Sequence, residues 1–142
     1  MPEAHAWNDR LDLGHEAMDH EHHLQIGLVS AFIEAAEGRR PGLARRLAEQ
    51  LVAYSVVHFG SEELLMEGSR YAGLAGHAAE HAEFLSQMRD LAQAFGAGEE
   101  DAALASSIEL RAALAAHMND ADRRLALHVR PMSAPAPERG AR

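Results

Sequence analysis

The stretch "GHEAMDHEHHLQIGLVSAFIEAAEG", residues 14–38, decides how the rest of the chain is read. Four histidines fall within nine positions of it: His15, His20, His22 and His23. Each residue advances ~100° around a helix. With His22 set at zero, Ile26, Val29 and Ile33 fall within ~40° of it, so His22 heads an apolar stripe. His23 falls with Gly27, Ser30, Glu34 and Glu37 on a polar strip. His20 lies near the opposite side, and His15 precedes the helix. Helical phase therefore selects one histidine of the four. Asp19 is the expected N-cap, and Gly38 the stop.

Three further helices follow from the same reasoning. "RRPG" at 39–42 breaks the chain, and Pro41 suits the first turn of a second helix over about 43–67. "SRYAG" at 69–73 makes the next turn. A third helix covers roughly 74–95 and ends at "GAG", 96–98. The acidic "EED" at 99–101 opens a fourth, because negative charge favours a helix N-terminus. It runs to about residue 129, and Pro131 closes it. Residues 131–142, "PMSAPAPERGAR", read as a disordered tail. Residues 1–18 read as an extended arm carrying Trp7, so the domain spans residues 1–130. Helices joined by short turns predict an all-α fold, an antiparallel up-and-down four-helix bundle.

Composition narrows the function. The 142 residues suit one domain with a real core. Net charge is −9, and all 13 basic residues are arginine. That balance argues against a nucleic-acid partner. With no cysteine, disulfides and thiolate metal sites are excluded. No apolar run approaches a membrane-spanning length, and the opening "MPEAHAWNDR" lacks the marks of a secretory signal. A cytoplasmic protein is the expectation.

The ten histidines are the oddity of the composition. In "HFGSEELLM", His58 and Glu62 are four apart and share a face with Leu47, Leu51, Tyr54 and Leu65, while Glu63 points away. "HAAEH" places His77 and His81 on one face with Leu74, Phe84 and Met88. His117 follows Leu110 and Leu114 on the apolar face of the fourth helix. Any one of these can be a core histidine with an ordinary hydrogen bond. All together fit that account poorly, because each buried polar group without a partner costs ~1–3 kcal/mol and an unpaired carboxylate costs more. A bound metal resolves the conflict, since it takes imidazole nitrogen and carboxylate oxygen at once. His5, His15, His20, His23 and His128 read as surface or arm residues. Asp122 lies five after His117, ~140° away on an ideal helix. Periodicity does not select it over Asp120 or Glu109.

The motifs "MDHEH", "HFGSE", "HAAEH" and "HMNDAD", taken in order, resemble the hemerythrin family in its bacterial single-domain form. "EELLM", Tyr71 and Phe84 resemble it too, and the likeness covers about residues 7–128. The sequence departs from it at Ala113–Leu114, where a Trp-Leu pair is frequent, and at Glu21, where Gln is common. The resemblance implies two iron ions. It implies His77, His81 and His117 on one, His22 and His58 on the other, and Glu62 and Asp122 bridging them beside an oxo or hydroxo group. The first ion would be six-coordinate and closed, the second five-coordinate with one open position. Dioxygen is the partner implied there, in a carrier, store or scavenger rather than an enzyme. A di-iron enzyme acting on peroxide or nitric oxide, a ferroxidase, an oxygen or iron sensor, and a structural zinc site are the alternatives. The imidazole-rich ligand set, unlike carboxylate-rich oxidative sites, should disfavour the ferric state. Spacing places Ile26, Met66 and Leu114 near the open position as an apolar pocket.

Overall fold

The computed structural model describes residues 11–95 and 97–133. The elements are α1 (Glu16–Glu37), α2 (Pro41–Gly68), α3 (Leu74–Ala94), α4 (Glu100–His117), one π-helical turn (Met118–Asp122) and α5 (Arg123–Ser133). The backbone stays in the right-handed helical region at His117, Met118 and Arg123, so α4, the π turn and α5 form one continuous rod. There is no strand among the described residues. α1 packs on α2 and α4, and α3 packs on the same two helices. With connections this short, successive helices run antiparallel, and the result is the expected four-helix bundle. No helix among the described residues is long and apolar enough to cross a membrane.

Two helix ends differ from the sequence expectation. α1 begins at Glu16, because His15 is the N-cap: its Nδ1 accepts the Met18 N–H at 3.3 Å. Asp19 is not a cap. Its carboxylate accepts the backbone N–H groups of Leu13 (2.8 Å) and Gly14 (3.2 Å), which lie before the helix. Those bonds fold residues 11–15 back, and Leu11 and Leu13 are buried. The inner part of the expected arm is thus part of the core, while His5 and Trp7 lie outside the described residues. At the other end, Pro131 does not close the last helix, which runs to Ser133. One proline removes one i→i−4 bond, and here the helix carries on past that loss. The rest of the expected tail lies outside the described residues.

The core is divided in two. One cluster holds Ile26, Val29, Phe32, Leu51, Phe59, Met88, Leu110 and Leu114, among others. A smaller one holds Leu13, Met18, Met66, Leu125, Ala126 and Val129. On α1, His22 falls between Met18 of the small cluster and Ile26 of the large one. On α2, Glu62 falls between Phe59 and Met66. The polar side chains read from the sequence form a layer between two apolar blocks. Phe32 is fully buried and meets Phe95 edge-on, with ring centroids 5.8 Å apart. Phe32→Ala is expected to cost about 3–5 kcal/mol and to lower the thermal midpoint by roughly 10 °C. Unfolding followed by circular dichroism checks this, and an unchanged midpoint would contradict the core described.

Candidate metal centre

Seven side chains converge between the two apolar blocks. α1 supplies His22, α2 supplies His58 and Glu62, α3 supplies His77 and His81, α4 supplies His117, and the π turn supplies Asp122. None is more than 6% exposed. The i,i+4 spacing on α2 and α3 sets each pair on one face, as helical geometry requires. Asp122 reaches the same layer for a different reason. A π turn closes i→i+5 hydrogen bonds, so residues five apart come into line. The turn brings Asp122 Oδ1 to 3.1 Å from His117 Nε2.

The two carboxylates divide their oxygens between two sets of imidazoles. Glu62 Oε1 lies 3.1 Å from His81 Nε2 and 3.4 Å from His77 Nε2. Glu62 Oε2 lies 3.1 Å from His22 Nε2 and 3.2 Å from His58 Nε2. Asp122 Oδ1 faces His77 Nε2 at 2.8 Å as well as His117, while Oδ2 faces His22 Nε2 at 3.0 Å. Ligand atoms of Glu62, His77, His81, His117 and Asp122 lie within 4.8 Å of one another, as do those of His22, His58 and Glu62.

This donor set fits cations better than it fits itself. Within the layer, His22 Nε2 and Glu62 Oε2 meet with hydrogen-bond geometry at 3.1 Å. The Nε2 atoms of His58, His77, His81 and His117, together with Glu62 Oε1 and Asp122 Oδ1, are buried without a hydrogen bond. Each such atom is costly to leave unmatched. Nitrogen and oxygen donors aimed at a common centre are what a transition-metal ion takes.

Charges shift accordingly in the metal-free protein. Burial works against a charged His22, but the adjacent Asp122 and Glu62 carboxylates outweigh it and raise its pKa to about 9. The same balance raises His77 to about 9. Burial also opposes ionised carboxylates, yet the surrounding imidazoles hold Glu62 and Asp122 below their ordinary range.

A second layer of carboxylates was not singled out as site residues by periodicity. Glu21 accepts from His58 Nδ1 at 2.6 Å, Glu63 from His81 Nδ1 at 2.9 Å, and Glu80 from His117 Nδ1 at 2.6 Å. Glu63 does point away from the ligand face of α2, and that direction carries it to α3. The available signal was adjacency: Glu21 precedes His22, Glu63 follows Glu62, and Glu80 precedes His81. A residue next to an inward ligand sits ~100° round the helix, where it can meet the neighbouring helix. Aromatic rings complete the enclosure, with Phe59 stacked on His81 at 4.1 Å and Phe84 edge-on to His117 at 5.2 Å.

Residues 13–127 match the family model described as the hemerythrin HHE cation binding domain. The chain belongs to the hemerythrin family. It is 29% identical over 94 residues to the bacteriohemerythrin of Pseudomonas paraeruginosa, covering 66% of this chain and 61% of that protein. It is 37% identical over 82 residues to the bacteriohemerythrin of Methylococcus capsulatus, covering 57% of this chain and 62% of that one. It is also 31% identical over 91 residues to the myohemerythrin of Riftia pachyptila, covering 64% and 71%. The chain thus spans about three fifths of the length of the bacteriohemerythrins it matches. A hemerythrin domain implies a di-iron centre, and the His/Glu/Asp cluster is of the right composition to hold one.

The other histidines among the described residues stay outside the hemerythrin layer. His23 is 47% exposed at its side chain, 3.7 Å from Asp12, and His20 is exposed. His128 meets the Ser69 carbonyl at 3.0 Å on the surface. His23→Ala is expected to leave the iron content of the reconstituted protein unchanged. Elemental analysis checks this, and a lost ion would place the helical register of α1 in error.

Proposed function

We propose that this chain binds dioxygen reversibly, as a carrier, store or scavenger, at a di-iron centre whose two positions differ by one protein ligand. The division of the carboxylate oxygens supports this reading most directly. In it, His77, His81 and His117 hold one ion, with Glu62 Oε1 and Asp122 Oδ1. His22 and His58 hold the other, with Glu62 Oε2 and Asp122 Oδ2. The first position would have five protein donors and the second four, and the second would therefore have room for one small molecule. When bound, the iron pair supplies one electron from each ion and that open position.

The chain's own part is to fix the rings, bridge the ions and keep out water. Ile26 and Leu114 are buried in the larger apolar cluster, and Met66 is buried in the smaller one. In the proposed site they line the open position from opposite sides of the ligand layer rather than as one wall. An apolar lining limits the entry of water and protons. A cytoplasmic setting is part of the proposal, in keeping with an acidic, cysteine-free chain.

The test is a cycle of air exposure. The di-ferrous protein is prepared anaerobically, air is admitted, and air is then removed. A coloured species that fades and returns is the expected result. Prompt conversion to a stable ferric form that consumes peroxide catalytically would make the chain an enzyme instead. A colourless protein indifferent to oxygen would point to zinc.

A further inference from the structure

The outer carboxylates reach three of the five candidate ligand imidazoles, and they do so unequally. At the two-His position, His58 Nδ1 meets Glu21, whereas His22 Nδ1 is buried without a hydrogen bond. At the three-His position, both His81 and His117 meet a carboxylate. Once Nε2 binds a metal, Nδ1 carries the ring proton, so the direction of these bonds is fixed: the ring donates and the carboxylate accepts. A charged acceptor at 2.6 Å draws on that proton and makes the imidazole a stronger donor to its metal. A stronger donor favours the more positive ion.

We propose that Glu21 is a positioning residue that sets the ferrous–ferric balance at the two-His position, through its hydrogen bond to His58. This rests on the di-iron reading above. The ligand set alone, rich in neutral imidazole, disfavours the ferric state. The outer layer acts in the opposite sense, restoring negative charge one hydrogen bond further out. Because Glu21 is the outer carboxylate on the two-His side among the described residues, one substitution isolates its effect. His58 has other supports that survive that substitution. Tyr54 stacks on it with an interplanar angle of 6°, and the Tyr54 hydroxyl donates to the backbone carbonyl of Glu21 at 3.2 Å. A glutamine at 21 keeps an acceptor oxygen in place and removes only the charge.

The experiment uses the full chain reconstituted with ferrous iron under anaerobic conditions. Wild type, Glu21→Gln, Glu21→Ala and Glu83→Gln are compared. Glu83 is an exposed carboxylate on α3, three residues after Glu80. Iron content is measured first, then the ferric-to-ferrous ratio in a titration between dithionite and ferricyanide, one electron per ion. Glu21→Gln should keep its iron, with a ratio at fixed potential lowered by about tenfold. Glu83→Gln should match wild type, and Glu21→Ala should lose iron as well as shift. If Glu21→Gln keeps its iron and titrates like wild type, the proposal is overturned while the metal centre stands. An equal shift in Glu83→Gln would assign the effect to general surface charge and overturn it too. If wild type takes up no iron, the di-iron reading itself has failed. Should Glu21→Gln fail to load, zinc-loaded wild type decides by nitrogen and proton NMR. The Nδ1 proton of His58 should be strongly deshielded relative to that of His22, and equal shifts would reject the proposal.

Discussion

Glu62→Ala is expected to reduce the iron content from about two ions per chain to fewer than one, with the helical content retained. Glu62 is the side chain that touches both candidate positions from α2, with one oxygen turned to each. Removing it takes away a ligand from both positions at once. It also leaves His22, His58, His77 and His81 without the negative charge that they share. Loss of one outer hydrogen-bond partner typically weakens a metal site by about 10–100-fold, and loss of a bridging ligand should exceed that. The bundle should persist, because the apolar clusters on either side of the layer do not depend on Glu62. Elemental analysis after anaerobic reconstitution, with circular dichroism as the folding check, reads the outcome. Unchanged iron would show that Glu62 does not bridge.

The second large effect concerns the protein without metal. Its stability should fall as pH rises from about 6.5 to about 9. His22 and His77 have an ordinary pKa of 6.5 and a folded-state pKa of about 9. A raised pKa contributes stability that is fully present below the unfolded value and is lost as pH passes the folded value. Glu62 and Asp122 are lowered, so their contribution is present above their unfolded values and is lost only in acid. Metal-free protein should therefore be most stable at mildly acidic pH, and its thermal midpoint should drop by on the order of 10 °C by about pH 9.5. The iron-loaded protein should not show this drop, because metal replaces the protons at Nε2 and its binding strengthens as protons leave. Thermal scans of both forms at about pH 6 and about pH 9.5 make the comparison. A metal-free midpoint that holds steady or rises over that interval would reject these protonation states for the imidazole layer.

Much of this was legible in the sequence, for reasons that differ between residues. His22, His58, Glu62, His77, His81 and His117 obey helical periodicity, so each could be placed on an inward face from phase alone. Asp122 does not obey it. Its position depends on a π turn, which five residues of sequence do not announce, and only the family resemblance pointed to it. The start of α1 was displaced because His15, a weaker capping candidate than Asp19, took the cap while Asp19 bonded amides outside the helix. Glu21, Glu63 and Glu80 were hidden because amphipathic periodicity sorts residues into inward and outward. These three point sideways, toward an adjacent helix, and belong to neither class.

That sideways direction bears on how the bundle is assembled. Glu21 on α1 holds a ring of α2, Glu63 on α2 holds a ring of α3, and Glu80 on α3 holds a ring of α4. Every stitch joins helices that are consecutive in the chain, so each can form within a single hairpin and at small loop-closure cost. Among the described residues, the seam between α1 and the last rod has no stitch of this kind. Within the ligand layer it is fastened by Asp122 and His22, 3.0 Å apart, and in the proposed centre by the one ion those two side chains share. Iron then acts as the latch on the one seam that chain order leaves for last. Amide exchange along that seam should quicken first when the metal is withdrawn.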